Sequence, residues 1–483
     1  MSQLPDYVAS ATPNPAGNRA WWLTTTAATY AGIMLWFAFW ANLPPGGGIE
    51  GGVLSQGLLF ALVSLAIAAF ICYACFYHVP GMLGMKTGLP LYIVGTSTYG
   101  VQGGYLMPGF LMGVLQFGWL SVNGLTAGAG FAILAAGRSM CPELGVEVPN
   151  PPNVFLLIGI GAVWAAIAAF IGLKGIKYVG MIATYMPIIP VVALLCLLAF
   201  TAGGAITFTP SDFHAEGATP ATMFGLDGGL GSTIGQFAVL SLILTIVVGF
   251  FATAGAAGCD FGSNNKDRTA VIYGGLVGIV LATLFAGGIA LIAVAGSYGG
   301  DGVTLNPYHS LREIMGAPIG GFFILMLAIA AFPSACFSSL IAANCFKAML
   351  PKTNPFISCG IGTIVACILI AVMAIFDFNV SIVFKVVGAS FGPVCGAMMA
   401  DYFLSGKKWA GPRAGINLPG WISWFVGFLV GGLPVLGIGA AIIPCPPVSA
   451  FVVGFALYYI LAKAGLESPK LDMPQRIDLE TNS

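Results

Sequence analysis

The sequence predicts an all-α integral membrane protein with 12 transmembrane helices, and three observations carry that prediction. The first is the scarcity of charge. Of 483 residues, 17 are Lys or Arg and 17 are Asp or Glu. That is 7% of the chain, where a soluble domain carries about 25%. Nearly all of these charges fall between long apolar runs, as the cost of a charge in hydrocarbon demands. The second observation is the length of the runs. The third is the sign of the charges that separate them.

A spanning helix needs about 20 apolar residues to cross about 30 Å of hydrocarbon. Only closed backbone hydrogen bonding persists there, so the runs are read as helices. In order, the first run is 21–43, opening after Arg19, and the second is 53–78, followed by Lys86. The third, 105–137, ends at Arg138. The fourth and fifth, 152–173 and 177–202, are parted by the turn holding Lys174 and Lys177. The acid- and glycine-rich stretch 203–233 is expected to be a loop. The sixth, 234–259, and seventh, 270–297, flank Lys266 and Arg268. A second loop, 299–315, contains SYGGDGVTLNPYHS. The eighth, 317–346, and ninth, 355–376, flank Lys347 and Lys352. The tenth, 379–403, precedes Lys407, Lys408 and Arg413, and the eleventh and twelfth are 419–441 and 444–463. Tails at 1–18 and 464–483 complete the chain, with a ten-helix core at 19–404 and two additional helices within 405–463.

The signs then orient the chain. With a cytoplasmic N-terminus, the loops and tails on that side hold 14 of the 17 basic residues, adding Lys463, Lys470 and Arg476 to those above. The opposite loops hold Arg138 and Arg312 alone, and are acidic through Glu143, Glu147, Asp212, Glu216, Asp227, Asp301 and Glu313. This positive-inside pattern puts both termini in the cytoplasm, and 11 or 13 spans would scramble it. The remaining basic residue, Lys385, lies inside the tenth span.

Composition excludes other classes. Zero net charge offers nothing to nucleic acid, and His78, His214 and His309 form no metal-ligand cluster. Cys72 and Cys75 form a C-x-x-C inside the apolar run FICYACFY, so they are read as buried small side chains. The polar N-terminus lacks a basic segment followed by an apolar one, so no cleavable signal is expected. No nucleophile–base pair suggests an enzyme, and no filter repeat suggests a channel.

Three spans gather polar and aromatic groups at membrane depth. In the third, Gln116, Trp119 and Asn123 share one helix face at i, i+3 and i+7, fit to stack on and bond a flat polar ring, or to bond a neighbouring helix. In the sixth, Gly249, Gly255 and Gly258 accompany Phe250, Phe251 and Thr253, so the segment is either an interrupted ligand-binding helix or a close-packed one. In the eighth, Ser334, Ser338 and Ser339 follow Pro333, and either line a solute path or satisfy backbone freed by the proline.

The segments GMKTGLPLYIVGTSTYGVQGGYLMPGFLMGVLQFGWLSVNG (84–124), GFFATAGAAGCDFGSNNKD (249–267) and GPVCGAMMADYFLSGKKW (392–409) resemble, in register, the nucleobase–cation symporter-1 family. These are permeases for cytosine, purines, uracil, allantoin, thiamine and hydantoins. The resemblance implies a LeuT-type fold: two inverted five-helix repeats, about 19–202 and 234–404, plus two C-terminal helices. It implies a substrate site between a bundle of helices 1, 2, 6 and 7 and a scaffold of helices 3, 4, 8 and 9. By position, Trp119 matches the tryptophan that stacks on the substrate and Gln116 a glutamine of the cytosine-permease site. Asn123 stands where hydantoin-type members have glutamine, and Phe251 matches the aromatic that closes the other ring face, with Phe250 beside it. Ser334 and Ser338 replace a substrate-binding asparagine.

The chain departs from the family at the coupling site. The two hydroxyls that ligate sodium in the eighth span align with Ala330 and Ala331, whose methyls supply no oxygen. Gly32 and Trp36 of the first span and Lys385 of the tenth are the coupling-ion or charge candidates. Lys385 is read either as a proton carrier or anion partner, or as a side chain snorkelling to the interface. The expectation is a multi-pass permease of the plasma (inner) membrane, importing a small planar nitrogen-rich solute with Na+ or H+, without other cofactors. A passive facilitator, or a carrier of a non-nucleobase solute, is the alternative. Its expected partners are the solute and the bilayer.

Overall fold

The computed structural model describes residues 4–27, 30, 52–136, 154–186, 188–210, 221–224, 226–297, 315–350, 352–376, 380–440 and 442–473. Among these, 11 helices are long and apolar enough to cross a membrane, corresponding to the second through twelfth spans. Of the first span, only its opening residues and Tyr30 are described, so Gly32 and Trp36 lie outside the described residues. The helices turn large side chains such as Phe155, Leu59 and Ile361 outward, where a soluble protein would expose polar ones.

The second span is longer than its apolar run, reaching Leu58–Thr87. Past His78 the helix continues because residues 79–85 are buried against a short helix, Gly258–Gly262, rather than facing lipid. The fifth span forms two helices, Ile176–Tyr185 and Ile188–Ala205. The eleventh stops at Leu436, short of the expected end, where Gly437 takes a positive φ of 78°. The expected loop 203–233 holds a small antiparallel hairpin, Ala221–Met223 with Leu226–Gly228, paired Thr222 to Asp227.

Helix packing forms two groups. The third span packs on the fourth, eighth and ninth, and the fourth also packs on the eighth and ninth. The second packs on the sixth and seventh, while the tenth packs on the sixth, eleventh and twelfth. Glycines permit the close crossings: a Cβ on Gly255 would lie 2.7 Å from the Phe76 Cβ, and one on Gly249 would lie 2.6 Å from the Phe384 carbonyl oxygen.

The segments that the charge pattern places on one side do meet at one end. Asn14 Nδ2 donates to the Ser263 carbonyl at 3.0 Å, Lys86 Nζ to the Lys407 carbonyl at 2.7 Å, and the Val101 N–H to the Arg413 carbonyl at 2.8 Å. At the opposite end, Gln56 Oε1 accepts from the Gly231 N–H at 2.9 Å.

Candidate functional site

The three polar clusters converge on one cavity of about 40 Å³ between the two helix groups. That is room for about three waters, or for the edge of a small ring once side chains yield. The third span contributes Gln116, Trp119 and Asn123, as their shared face predicts. The eighth contributes Ser334, Phe337, Ser338 and Ile341, at i, i+3, i+4 and i+7. This span is two helices, Ala317–Ala330 and Phe332–Met349, joined at Ala331. Pro333 sits in the first turn of the second helix, where its missing N–H costs nothing. The sixth span contributes Phe250, Thr253, Ala254 and Ala257, with Phe261 beyond its end.

The sixth span is interrupted only at its end, between Gly255 and Gly258, and one site expectation within it is corrected. The helix Thr233–Ala256 runs unbroken through Gly249, and its turn comes at Ala257, where the short helix Gly258–Gly262 takes over. Its glycines serve close packing rather than unwinding. Phe251 does not face the cavity: it is fully buried against Tyr30, at a ring-centroid distance of 5.6 Å. The cavity face repeats through 250, 253, 254, 257 and 261, and residue 251 lies about 100° off it. Phe250 is the cavity aromatic of this span.

Trp119 is only 8% exposed and is held from three directions. Its Nε1 donates to Thr253 Oγ1 at 2.9 Å. Phe384 stacks on it at 5.2 Å, and Phe250 meets it edge-on at 5.0 Å. Asn123 is tied into the scaffold. Its Nδ2 donates to the Trp119 carbonyl at 2.8 Å and its Oδ1 accepts from Ser334 Oγ at 2.5 Å, joining the third and eighth spans. Ser338 Oγ donates to the Ser334 carbonyl at 3.1 Å, the turn preceding it. Gln116 donates to Met112 Sδ at 3.3 Å, a weak acceptor, so its amide is the group most readily recruited by a ligand. Every polar side chain lining the cavity is uncharged.

Phe384, Phe261 and Phe337 join the residues anticipated from sequence, Thr253 among the latter. Phe261 and Phe337 follow from the helical period of their neighbours, whereas nothing in the tenth span marks Phe384. Lys385, next to it, lies in the second turn of the helix Ser381–Leu404, is partly exposed and is absent from the cavity lining. Ala330 and Ala331 are buried. Among the described residues, no group of three or more His, Cys, Asp or Glu could hold a metal ion.

Among the acidic groups at the end of the bundle where the terminal segments meet, Asp401 and Asp260 contrast. Asp401 forms an ion pair with Arg413 at 2.9 Å, with both side chains almost fully buried. Ser97 Oγ donates to Asp401 at 2.6 Å, and Arg413 also donates to Glu467 at 2.6 Å and to the Ser97 carbonyl. Burial alone would lower the Arg413 pKa, but Asp401, Tyr458 and Glu467 outweigh it and raise it. This network joins the loop after the second span to the tenth span, the loop after it and the C-terminal segment, which makes Asp401 structural. Asp260 has no such partner: its carboxylate accepts from the Leu91 N–H at 3.3 Å, and burial pushes its pKa up to about 7.

Two helix groups enclosing a neutral, aromatic-walled cavity at membrane depth define a helical membrane transporter of the LeuT type. Comparison with solved structures agrees. The chain is similar to the inward-facing conformation of Mhp1, with a TM-score of 0.67 and 16% identity over 96% of this chain and 94% of that one. It is similar to Mhp1, a nucleobase-cation-symport-1 family transporter, in a closed conformation with bromovinylhydantoin bound, with a TM-score of 0.62 and 16% identity over 94% and 95% of the two chains. It is also similar to a Na+-coupled sialic acid symporter, with a TM-score of 0.57 and 14% identity over 97% and 93%. Sequence comparison with curated proteins returns no match. The family profile described as permease for cytosine/purines, uracil, thiamine, allantoin matches residues 18–411, and the chain belongs to this family.

Proposed function

We propose that the protein imports an uncharged, planar, nitrogen-rich solute, such as cytosine, another nucleobase or a related heterocycle, across the plasma (inner) membrane with both termini cytoplasmic. The observation that carries this reading is the cavity itself: an indole held in place by Thr253, aromatic walls and only neutral hydrogen-bonding groups. A charged solute would be desolvated there without a counter-charge. The solute ring lies against Trp119 and Phe250, Gln116 reads its edge with Ser334 and Ser338, and Asn123 holds the eighth span in register. Family membership and the structure bound to bromovinylhydantoin support a flat heterocycle.

Transport proceeds by alternating access, with the group containing the second, sixth and seventh spans rocking against the third, fourth, eighth and ninth. It is coupled to a cation, but not at a sodium site of the family's usual kind, because Ala330 and Ala331 offer no oxygen there. A thermal-shift and uptake screen of nucleobases, hydantoins, allantoin and pyrimidine vitamin precursors tests the substrate class. Uptake in sodium-free buffer at fixed pH tests the coupling. An absolute sodium requirement contradicts this account of coupling, and uptake that never exceeds equilibration favours the passive alternative.

A further inference from the structure

Asp260 lies one helical turn beyond the solute cavity on two elements at once. Ala257, which lines the cavity, precedes it by one turn, and the neighbouring Phe261 lines the cavity too. Across from it, Ile341 lines the cavity, and Cys345, one turn further along the eighth span, is within electrostatic reach of the carboxylate. Among the described side chains, no cation lies within electrostatic reach of the carboxylate. The first span brings Tyr30 towards it, the short helix Leu91–Val94 brings Tyr92, and its own helix brings Cys259. The sixth span, Thr233–Ala256, and the segment Leu23–Ala27 carry no titratable residue. On the second span, the His78 ring meets the Tyr73 hydroxyl at 3.4 Å, and Lys86 donates to the Lys407 carbonyl at 2.7 Å. Arg19 spends its guanidinium on the Asn14 and Met85 carbonyls. Among the described residues, the donors to the carboxylate are therefore two backbone groups, the Leu91 N–H at 3.3 Å and its own amide.

Two other acidic groups of this end contrast with it. Asp401 is neutralised by Arg413, and Asp267 caps the helix that follows it through the Ala270 N–H at 2.8 Å. A carboxylate with neither a cation nor a set of good donors is stabilised poorly in its charged form once water leaves. Asp260 is enclosed by protein yet keeps part of its surface open, so a proton has a route to it. Its pKa near neutrality accords with that setting.

We propose that Asp260 is a proton-binding site of the transport cycle, loaded together with the solute and emptied at the end of the bundle where the termini lie. The chemistry balances simply: the carboxylate takes one proton to become the neutral acid and returns one proton on release. The pathway closes around the neutral acid and opens to water around the carboxylate, so a conformational change between the two groups of helices is linked to one proton. The inference rests on reading the chain as a coupled carrier, and assigns its coupling to a site away from the eighth span.

Two experiments on the full-length protein in proteoliposomes test it. Infrared titration needs no substrate. Wild type shows a carboxylic acid band that disappears as pH rises through neutrality; Asp260→Asn lacks it and Asp260→Glu retains one. Absence of a band that responds to Asp260→Asn overturns the proposal. In sodium-free buffer, an inward proton gradient drives accumulation of whichever screened solute is carried. Asp260→Asn reduces accumulation to equilibration, and Asp260→Glu restores it with a shifted pH profile. Accumulation by Asp260→Asn equal to wild type, or accumulation driven by sodium and indifferent to the proton gradient, overturns the proposal. If no screened solute is carried, the substrate reading fails while the infrared titration still decides the role of Asp260.

Discussion

Replacing Thr253 with valine isolates one hydrogen bond at the centre of the proposed site. Valine keeps the shape of threonine and removes the acceptor that holds the Trp119 indole N–H at 2.9 Å. Trp119 is 8% exposed, so bulk water does not replace the lost partner. Leaving a buried donor unsatisfied costs about 1–3 kcal/mol. Stacking by Phe384 and Phe250 still limits the ring, so the indole is loosened rather than expelled. If solute binding requires the observed indole orientation, the full cost appears as about a 5- to 150-fold rise in Kd. A water in the cavity that accepts from the freed N–H brings the effect towards the lower end, about tenfold. The assay is the Kd of the strongest ligand from the screen, measured on purified Thr253→Val and on Thr253→Ser, which keeps the acceptor. Wild-type affinity in Thr253→Ser and weakened binding in Thr253→Val are expected. Equal Kd values in Thr253→Val and wild type refute the argument that this bond positions the indole.

Further predictions concern stability. Arg413→Ala leaves Asp401 charged and buried without its partner, and should lower unfolding stability in detergent by about 3–5 kcal/mol; a double change to Arg413→Met and Asp401→Leu should recover part of the loss. Gly255→Ala places a Cβ 2.7 Å from that of Phe76 and should cost about 1–3 kcal/mol, read as a lower thermal midpoint. The folded-state pKa of Asp260, about 7, lies above the reference value of 3.8. Its stabilising contribution is therefore full below about pH 4 and is lost as pH rises through 7, by at most about 4 kcal/mol and by less given its partial exposure. Asp260→Asn should flatten that slope, so its thermal midpoint should gain on wild type as pH is raised from 5 to 8, which melting curves across this range will check.

Much of this architecture is legible in the chain because a bilayer punishes misplaced charge. The second through twelfth spans emerge close to their predicted positions, since Lys174, Lys266, Lys347 and their neighbours mark the gaps. The ends are less legible. Helix 58–87 outruns its apolar stretch because protein, not lipid, covers residues 79–85. Within the site, spacing succeeds where several residues share a face, as for Gln116, Trp119 and Asn123. Positional resemblance alone points to Phe251, while the helical period selects Phe250. Phe384 is silent in sequence because its role depends on the tenth span crossing the sixth at Gly249, a tertiary contact. The role proposed for Asp260 is likewise tertiary: its contrast with Asp401 depends on which arginine folds against which carboxylate.

The central claim is that a flat neutral heterocycle binds against Trp119. The most direct measurement is ligand-induced thermal shift across the heterocycle panel, on wild type and Trp119→Ala side by side. The account predicts a shift for at least one nucleobase or related ring in wild type and its loss in Trp119→Ala, whose baseline midpoint shows that the variant is folded. A folded Trp119→Ala that binds the same ligand with wild-type affinity contradicts it.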